Sequence, residues 1–306
     1  MGFRLLYVVA AVVGLWSGLT ACDRSPEHRT TIAVVPKVDD ASVAAAKAAA
    51  LAARDTYGIA VRWDVSRNPT AESQAELIGK LVTAGVDGIL LSCIDAADTG
   101  LRGAIDAAVE AGVAVGTFDS DCPNSGRSFY IGSDNAAAGI LAAETVQALC
   151  EEGGRPAKGI GVFAGVEGDA AMQARIDAFL SVVPDTAALF WSGDVPSTGQ
   201  TQVTDFLTDY AQLPVNGVVF LSSVPVIDGP GTIARLDSLC REAAGAAVFF
   251  DTSEPVVTFV RSMPHCAALR QDFEAMVSGG IERLLRVIRG EAVGETITYT
   301  PIEAVR

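Results

Sequence analysis

The sequence predicts an α/β protein of two doubly wound lobes, each built on a parallel sheet. From Thr31 onward, short β-branched apolar runs alternate with Ala-rich helical segments, the pattern of βα units. Each predicted strand is an almost unbroken apolar run, as a strand needs when helices cover both of its faces. The alternation restarts after Phe129–Gly132, and the second series is of similar length to the first.

The first series reads as strand Thr31–Val35, helix Ala41–Tyr57, strand Ile59–Asp64, helix Thr70–Ala84, strand Gly88–Ser92, helix Thr99–Ala111 and strand Ala114–Phe118. A short strand, Phe129–Gly132, then runs into Asp134-Asn135, which can cap the following helix. The second series reads as helix Asn135–Glu151, strand Gly159–Ala164, helix Asp169–Val182, strand Thr186–Ser192, helix Thr198–Tyr210 and strand Gly217–Leu221. It continues with helix Gly231–Ala244, strand Ala247–Phe250, helix Ser253–Met263 and strand Ala267–Arg270, and closes on helix Phe273–Arg289 and strand Thr296–Thr300. Alanine is frequent in the helices because its helix propensity is the highest of any residue.

Residues Met1–Ala21 carry one charge, Arg4, followed by the apolar run Leu5–Trp16 and then Ser17-Gly18-Leu19-Thr20-Ala21-Cys22. An apolar core this short, with no stop-transfer pattern behind it, predicts a secretory signal peptide over residues 1–21. Leu19-Thr20-Ala21-Cys22 resembles the bacterial lipobox, which implies lipidation of Cys22 and a polar tether over residues 22–29. Removing the first 21 of 306 residues leaves 285, ample for two lobes of ordinary domain size.

The chain has 22 Lys and Arg against 37 Asp and Glu, a net charge of −15, which excludes a nucleic-acid binder because neutralising phosphates needs clustered cations. No metal site is predicted: the two histidines, His28 and His265, stand apart, and no Cys/His cluster has ligand spacing. An enzyme is not predicted either, and no cofactor. Val35-Pro36-Lys37 follows the first strand where a dinucleotide fingerprint would need glycines, and Gly159–Gly165 lies within a strand. Walker A, HExxH and GxSxG motifs are absent from the sequence.

In open parallel sheets a ligand sits beyond the carboxyl ends of the strands. That rule selects Lys37, Asp39 and Asp40 after the first strand, Ser92 and Asp95 after the third, and Asp119 and Asp121 after the fourth. From the second series it selects Glu167, Asp169, Ser222, Ser223, Asp251 and Arg270.

The segment Phe118-Asp119-Ser120-Asp121-Cys122-Pro123 through Arg127, continuing into Tyr130-Ile131-Gly132-Ser133-Asp134-Asn135 and Gly139, resembles the ribose/galactose-type binding proteins and lipoproteins that serve ABC importers. The resemblance implies the type I periplasmic binding protein fold, with three hinge crossings near Ser133, Gln271 and Pro301. Its N-terminal lobe would comprise residues 30–133 plus 272–300 and its C-terminal lobe 134–271 plus 301–306. It also implies that Asp119, with Ser120 beside it, accepts ligand hydroxyls, and that Asp251 of Phe249-Phe250-Asp251 does so from the second lobe. Ser92 joins this ligand-binding set.

The sequence departs from the family pattern at several positions. Asp39 and Asp40 follow Lys37 where relatives carry aromatic residues that pack on a sugar ring, Gln173 stands where they carry an Arg, Asp228 stands for an Asn, and Arg270 stands for the hinge Gln. Among small polar ligands such as a sugar, a polyol or a sugar acid, losing the aromatic face while gaining Lys37 and Arg270 argues against a plain neutral hexose or pentose and suits a many-hydroxyl ligand with a charged group, such as a sugar acid or an aminated polyol. Arg270 is read either as a ligand contact or as an ion-pair partner of Asp251 or Asp119.

Five cysteines remain after Cys22, so at least one is unpaired. Cys93 and Cys122 follow the third and fourth strands, which are expected to be neighbours, and Cys240 and Cys266 meet at a helix end and a strand start. They are candidates for two disulfides, with Cys150 left over. The expected function is a monomeric, lipid-anchored, extracytoplasmic solute-binding protein that delivers a small polar ligand to an ABC permease. The alternative is a ligand-sensing lipoprotein that signals to a receptor or sensor kinase without transport.

Overall fold

A computed structural model describes residues 28–39, 41–68, 70–154, 159–165, 169–183, 187–191, 201–202, 205, 216–223, 236–237, 240–241 and 245–306. Its first strands and helices are β1 (Thr31–Val35), α1 (Ala44–Tyr57), β2 (Ala60–Trp63), α2 (Ala71–Thr83), β3 (Gly88–Leu91), α3 (Thr99–Glu110), β4 (Ala114–Phe118) and β5 (Tyr130–Ser133). There follow α4 (Asn135–Glu152), β6 (Ile160–Ala164), α5 (Ala170–Val182), β7 (Ala187–Trp191), β8 (Gly217–Phe220), β9 (Ala246–Phe250), α6 (Glu254–Ser262) and β10 (Cys266–Gln271). The chain ends with α7 (Phe273–Ile288), β11 (Ile297–Thr300) and β12 (Ile302–Val305).

These strands form two six-stranded sheets, ordered β11-β5-β4-β3-β1-β2 and β12-β10-β9-β8-β6-β7. The two orders correspond strand for strand, so each lobe repeats the other. In each sheet the outermost strand beside β5 or β10 is supplied only after the chain has visited the other lobe. Among the described pairings all are parallel except β10 with β12. The sequence reading did not anticipate β12: a four-residue, half-exposed edge strand has no buried apolar run to announce it.

Burial follows the period of two that a strand imposes. Ile32 and Val34 face α1 and α7, where they pack with Met276, Ile281 and Leu284. Ala33 and Val35 face the opposite way, into Ile78, Leu101 and Ile105 of α2 and α3. In the second sheet Val162 and Val248 pack against Val146, Ile176 and Phe179 of α4 and α5. The other face stacks Phe163, Phe220 and Phe249 at centroid separations of 5.2 Å. Burying each such aromatic side chain contributes about 1.5–3 kcal/mol.

Five helix starts carry side-chain caps, whereas α1 and α6 begin without one. Thr70, Asp98, Asp134, Asp169 and Asp272 each accept a hydrogen bond from the backbone N–H three residues on. Each cap stabilises by about 1 kcal/mol. Because a parallel strand feeds the next helix across its carboxyl edge, all five of these caps lie at the carboxyl edges of their sheets. The expected helices Thr198–Tyr210 and Gly231–Ala244 fall largely on residues outside those described, as do the expected signal peptide and most of the tether, Cys22 included.

The chain passes between the sheets after Ser133, after Gln271 and at Pro301. Two of these crossings are tied together by a buried hydrogen bond of 2.8 Å from Ser133 Oγ to Gln271 Oε1. Close behind them, α4 and α5 approach at Gly139, where an added Cβ would stand 2.1 Å from the Arg175 carbonyl oxygen. Backbone cannot yield as a side-chain tip would. Gly139→Ala is therefore expected to destabilise the protein by about 1–3 kcal/mol in denaturant unfolding; an unchanged midpoint would show that the two helices part without cost.

Candidate functional site

At the carboxyl ends of β4 and β9 the chain does the same thing twice. Asp119 and Asp251, each the residue after its strand, are the only described non-glycine residues with positive φ, at 58° and 70°. Their N–H groups close the ladder to the neighbouring strand, at 3.1 Å to Ile131 O and 2.9 Å to Leu269 O. Aspartate tolerates this left-handed conformation better than most residues, which lets the chain turn out of each sheet with a carboxylate at the turn. One carboxylate comes from each lobe.

Around Asp119, Ser92 Oγ donates to Oδ2 at 2.7 Å and the Lys37 ammonium lies 3.2 Å from the same oxygen. Lys37 also donates to Ser120 Oγ, and Tyr130 donates its hydroxyl to the Asp119 carbonyl at 2.9 Å. Burial alone would lower the Lys37 pKa, but Asp119 and, from the other lobe, Asp169 outweigh it and hold the ammonium above its ordinary value. Among the described residues, the side-chain contacts of the Asp119 carboxylate fall on Oδ2.

Around Asp251 the partners come from the hinge. Gln271 Nε2 donates to Asp251 Oδ1 at 2.8 Å, while Gln271 Oε1 accepts from Ser133 at 2.8 Å and from Arg175 at 3.4 Å. Arg175, only 8 % exposed, also donates to Asn135 Oδ1 at 2.7 Å and to the Leu221 carbonyl at 2.9 Å. Its guanidinium lies 3.8 Å from the centroid of the Phe250 ring. Burial lowers the Arg175 pKa against the pull of Asp251, Asp119 and Asp169. Burial raises that of Asp251 despite Gln271 and Arg175.

The sequence-predicted residues divide cleanly. Lys37, Ser92, Asp119, Ser120 and Asp251 converge on this cleft. Asp39 does not: it is exposed and binds Lys47 at 3.0 Å and the Trp63 indole N–H at 3.0 Å. Gln173 is exposed on α5 and donates to Asp177 at 2.8 Å, one turn away on its own helix. Asp40 and Asp228 lie outside the described residues.

Arg270 is the main correction. Successive residues of a strand point to opposite sides, so only one of Arg270 and Gln271 can face the hinge. Gln271 takes that place, and Arg270 turns outward to pair with Glu303 of β12, both more than half exposed. An exposed pair of this kind contributes at most about 1 kcal/mol and gives the cleft no charge. Neither of its expected partners, Asp251 or Asp119, is in reach of it. Among the described residues, the positive groups at the cleft are Lys37 and Arg175. Arg175, Gln271 and Asn135 were missed as site residues, although an arginine in the helix after a strand and a glutamine at a lobe crossing were visible signals.

The expected disulfide partners are adjacent but unbonded: all five described cysteines are buried thiols, with Cys240 and Cys266 sulfurs 3.1 Å apart. Among the described residues no group of three or more His, Cys, Asp or Glu is arranged to hold a metal.

A family model described as a periplasmic binding protein domain matches residues 32–292. A solute-binding protein of an ABC transporter from Burkholderia graminis, solved with D-arabinose, is 24 % identical, with a TM-score of 0.77 over 90 % of this chain and 94 % of that one. A carbohydrate-transporter solute-binding protein from Agrobacterium radiobacter, also solved with D-arabinose, is 19 % identical, with a TM-score of 0.78 over 91 % and 95 %. A glucose-galactose binding protein from Geobacillus stearothermophilus is 20 % identical, with a TM-score of 0.75 over 92 % and 98 %.

The raised pKa of Asp251 carries a stability consequence. Its contribution is fully present below the unfolded carboxylate pKa of about 3.9 and is lost as pH rises through the higher native value. Asp251→Asn keeps the acceptor for Gln271 and removes the charge. At neutral pH the ligand-free variant is expected to melt at or above the wild-type temperature, and the two should converge below about pH 4. A variant that melts several degrees lower at pH 7 would mean that attraction to Arg175 outweighs burial.

Proposed function

The chain belongs to the periplasmic binding protein domain family, and from that premise we propose that it is an extracytoplasmic solute-binding protein that captures a sugar or polyol for ABC import. The observation that carries this reading is the pair of carboxylates, Asp119 and Asp251, turned into one cleft from the matching strand of each lobe. Carboxylate oxygens accept hydroxyl protons, while Lys37 and Arg175 supply the charge balance that lets two acids share a confined site. Relatives of the same fold hold D-arabinose and, in a protein from Actinobacillus succinogenes, D-allose.

Both cations are committed to protein partners: Lys37 to Asp119 and Ser120, Arg175 to Asn135, Leu221 and Gln271. With Arg270 paired to Glu303, the case for a sugar acid falls away and a neutral polyhydroxy ligand is favoured. A ligand bridging the two carboxylates stabilises the closed arrangement of the lobes, residues 30–133 plus 272–300 and residues 134–271 plus 301–306, and so couples capture to closure. The protein acts as a monomer, held at the membrane by lipid on Cys22 and presenting its ligand to a permease, with no catalytic role.

A thermal-shift screen over neutral sugars, polyols, sugar acids and amino compounds tests the ligand class. A cognate ligand at about 100 times its Kd should stabilise the fold by about 2.7 kcal/mol. Calorimetric titration of that ligand should then give Asp119→Ala and Asp251→Ala affinities roughly 10- to 150-fold weaker, as expected when a charged hydrogen bond worth about 1.5–3 kcal/mol is lost. Arg270→Gln should bind within about twofold of wild type. Wild-type affinity in both Asp variants would move the site elsewhere. The anchor is read separately by fractionation: Cys22→Ser should shift the protein from membrane to soluble fractions, and an unchanged distribution would remove the lipid from this account.

A further inference from the structure

Beneath the Asp119 half of the cleft lies a pair of thiols that ligand binding does not use. Cys93 and Cys122 are 2 % and 0 % exposed, stand just past the ends of the paired strands β3 and β4, and lie close enough for each thiol to perturb the other. They flank the site in sequence: Ser92 precedes Cys93, and Asp119, Ser120 and Asp121 precede Cys122. A backbone bond already joins the two loops, Cys93 N–H donating to Ser120 O at 3.0 Å, and Ser92 N–H ties the first loop to the end of β1 through Val35 O at 2.8 Å. Gln74 clamps the first loop from α2, donating to Ser92 O at 2.9 Å and accepting from Ile94 N–H at 3.1 Å. Ser125 holds the second by donating to Cys122 O at 2.8 Å.

We propose that Cys93 and Cys122 form a disulfide when the protein folds in the presence of a thiol oxidant, and that this bond fixes the loops that present Ser92, Asp119 and Ser120 to the ligand. Cys240 and Cys266, with sulfurs 3.1 Å apart and exposures of 1 % and 2 %, form the second bridge, in the other lobe. Cys150 stays a thiol; its sulfur lies 3.6 Å from the Asn216 carbonyl, with no cysteine as its partner.

The co-reactant is a disulfide-bearing oxidant, glutathione disulfide or an oxidoreductase with a cysteine pair. One thiolate attacks the oxidant's disulfide to form a mixed disulfide, and the second displaces the oxidant's remaining sulfur. The protein loses two protons and two electrons, and the oxidant's disulfide becomes two thiols. Both sulfurs are buried, so exchange takes place while the chain folds. An extracytoplasmic location, part of the function proposed above, supplies such an oxidant in the cell. The pairing itself depends only on geometry and is tested without that assumption.

The mature chain is unfolded in denaturant, refolded in a buffer of reduced and oxidised glutathione, alkylated and mapped by mass spectrometry. The expected products are peptides linking Cys93 to Cys122 and Cys240 to Cys266, with Cys150 alkylated. Five alkylated thiols, or any other pairing, overturns the proposal. Positioning is read by hydrogen exchange on the oxidised protein and on a Cys93→Ser/Cys122→Ser variant. Amides of residues 92–95 and 119–122 should exchange at least about tenfold faster in the variant while those of β1 and β9 are unchanged. Equal protection in the two proteins would reduce the bond to a staple with no bearing on the site. Failure of the anchor or ligand tests would leave these outcomes untouched.

Discussion

An arginine with 8 % of its surface exposed needs partners for its buried donors, and the way Arg175 meets that requirement organises the cleft. Its donors go to Asn135 at the start of α4, to the carbonyl of Leu221 just past β8 and to Gln271 at the end of β10, while its flat face lies on Phe250 at the end of β9. One side chain from α5 thus gathers the carboxyl edge of the second sheet and the first two hinge crossings. The close approach of α4 and α5 at Gly139 brings the helix that carries Arg175 near enough for the contact to Asn135. Removing the arginine would leave Asp251 beside an uncompensated, poorly hydrated surface.

Gln271 extends this arrangement into the hinge. Its amide nitrogen serves Asp251 and its amide oxygen serves Ser133 and Arg175, so each end reports on a different part of the molecule. A ligand that takes Asp251 as its acceptor competes for the same carboxylate and so touches the crossing between the lobes. The coupling between site and hinge is one side chain long, a short path for a binding event to alter the relative placement of two rigid sheets.

Repetition accounts for the rest of the geometry. The two sheets share a strand order, and the residue after the third strand in each order, β4 or β9, is an aspartate at positive φ. The lobes satisfy their carboxylates differently. In the first, Lys37 and Ser92 serve Asp119 from adjacent strand ends; in the second, Arg175 and Gln271 serve Asp251 from a helix and the hinge. A pseudo-symmetric frame therefore carries an asymmetric site, as an asymmetric ligand requires.

The sequence by itself determined whatever rests on local physics. Unbroken apolar runs located the strands, Asp134 and Asp169 stand at the starts of their helices, and the rule that selects strand carboxyl ends picked out Lys37, Ser92, Asp119 and Asp251, which the fold brings together. Tertiary structure decided what depends on register and reach. Arg270 and Gln271 are neighbours with equal claim to the hinge, and only the pairing of β10 with β9 and β12 fixes which one faces the cleft. Asp39 and Gln173 stand where the pattern asks for ligand contacts, yet Lys47, Trp63 and Asp177 lie close enough to claim them. Arg175 is 40 residues from Asn135, 46 from Leu221 and 96 from Gln271 along the chain. No local pattern specifies partners at such separations, because they meet only after two sheets and a hinge have folded around them.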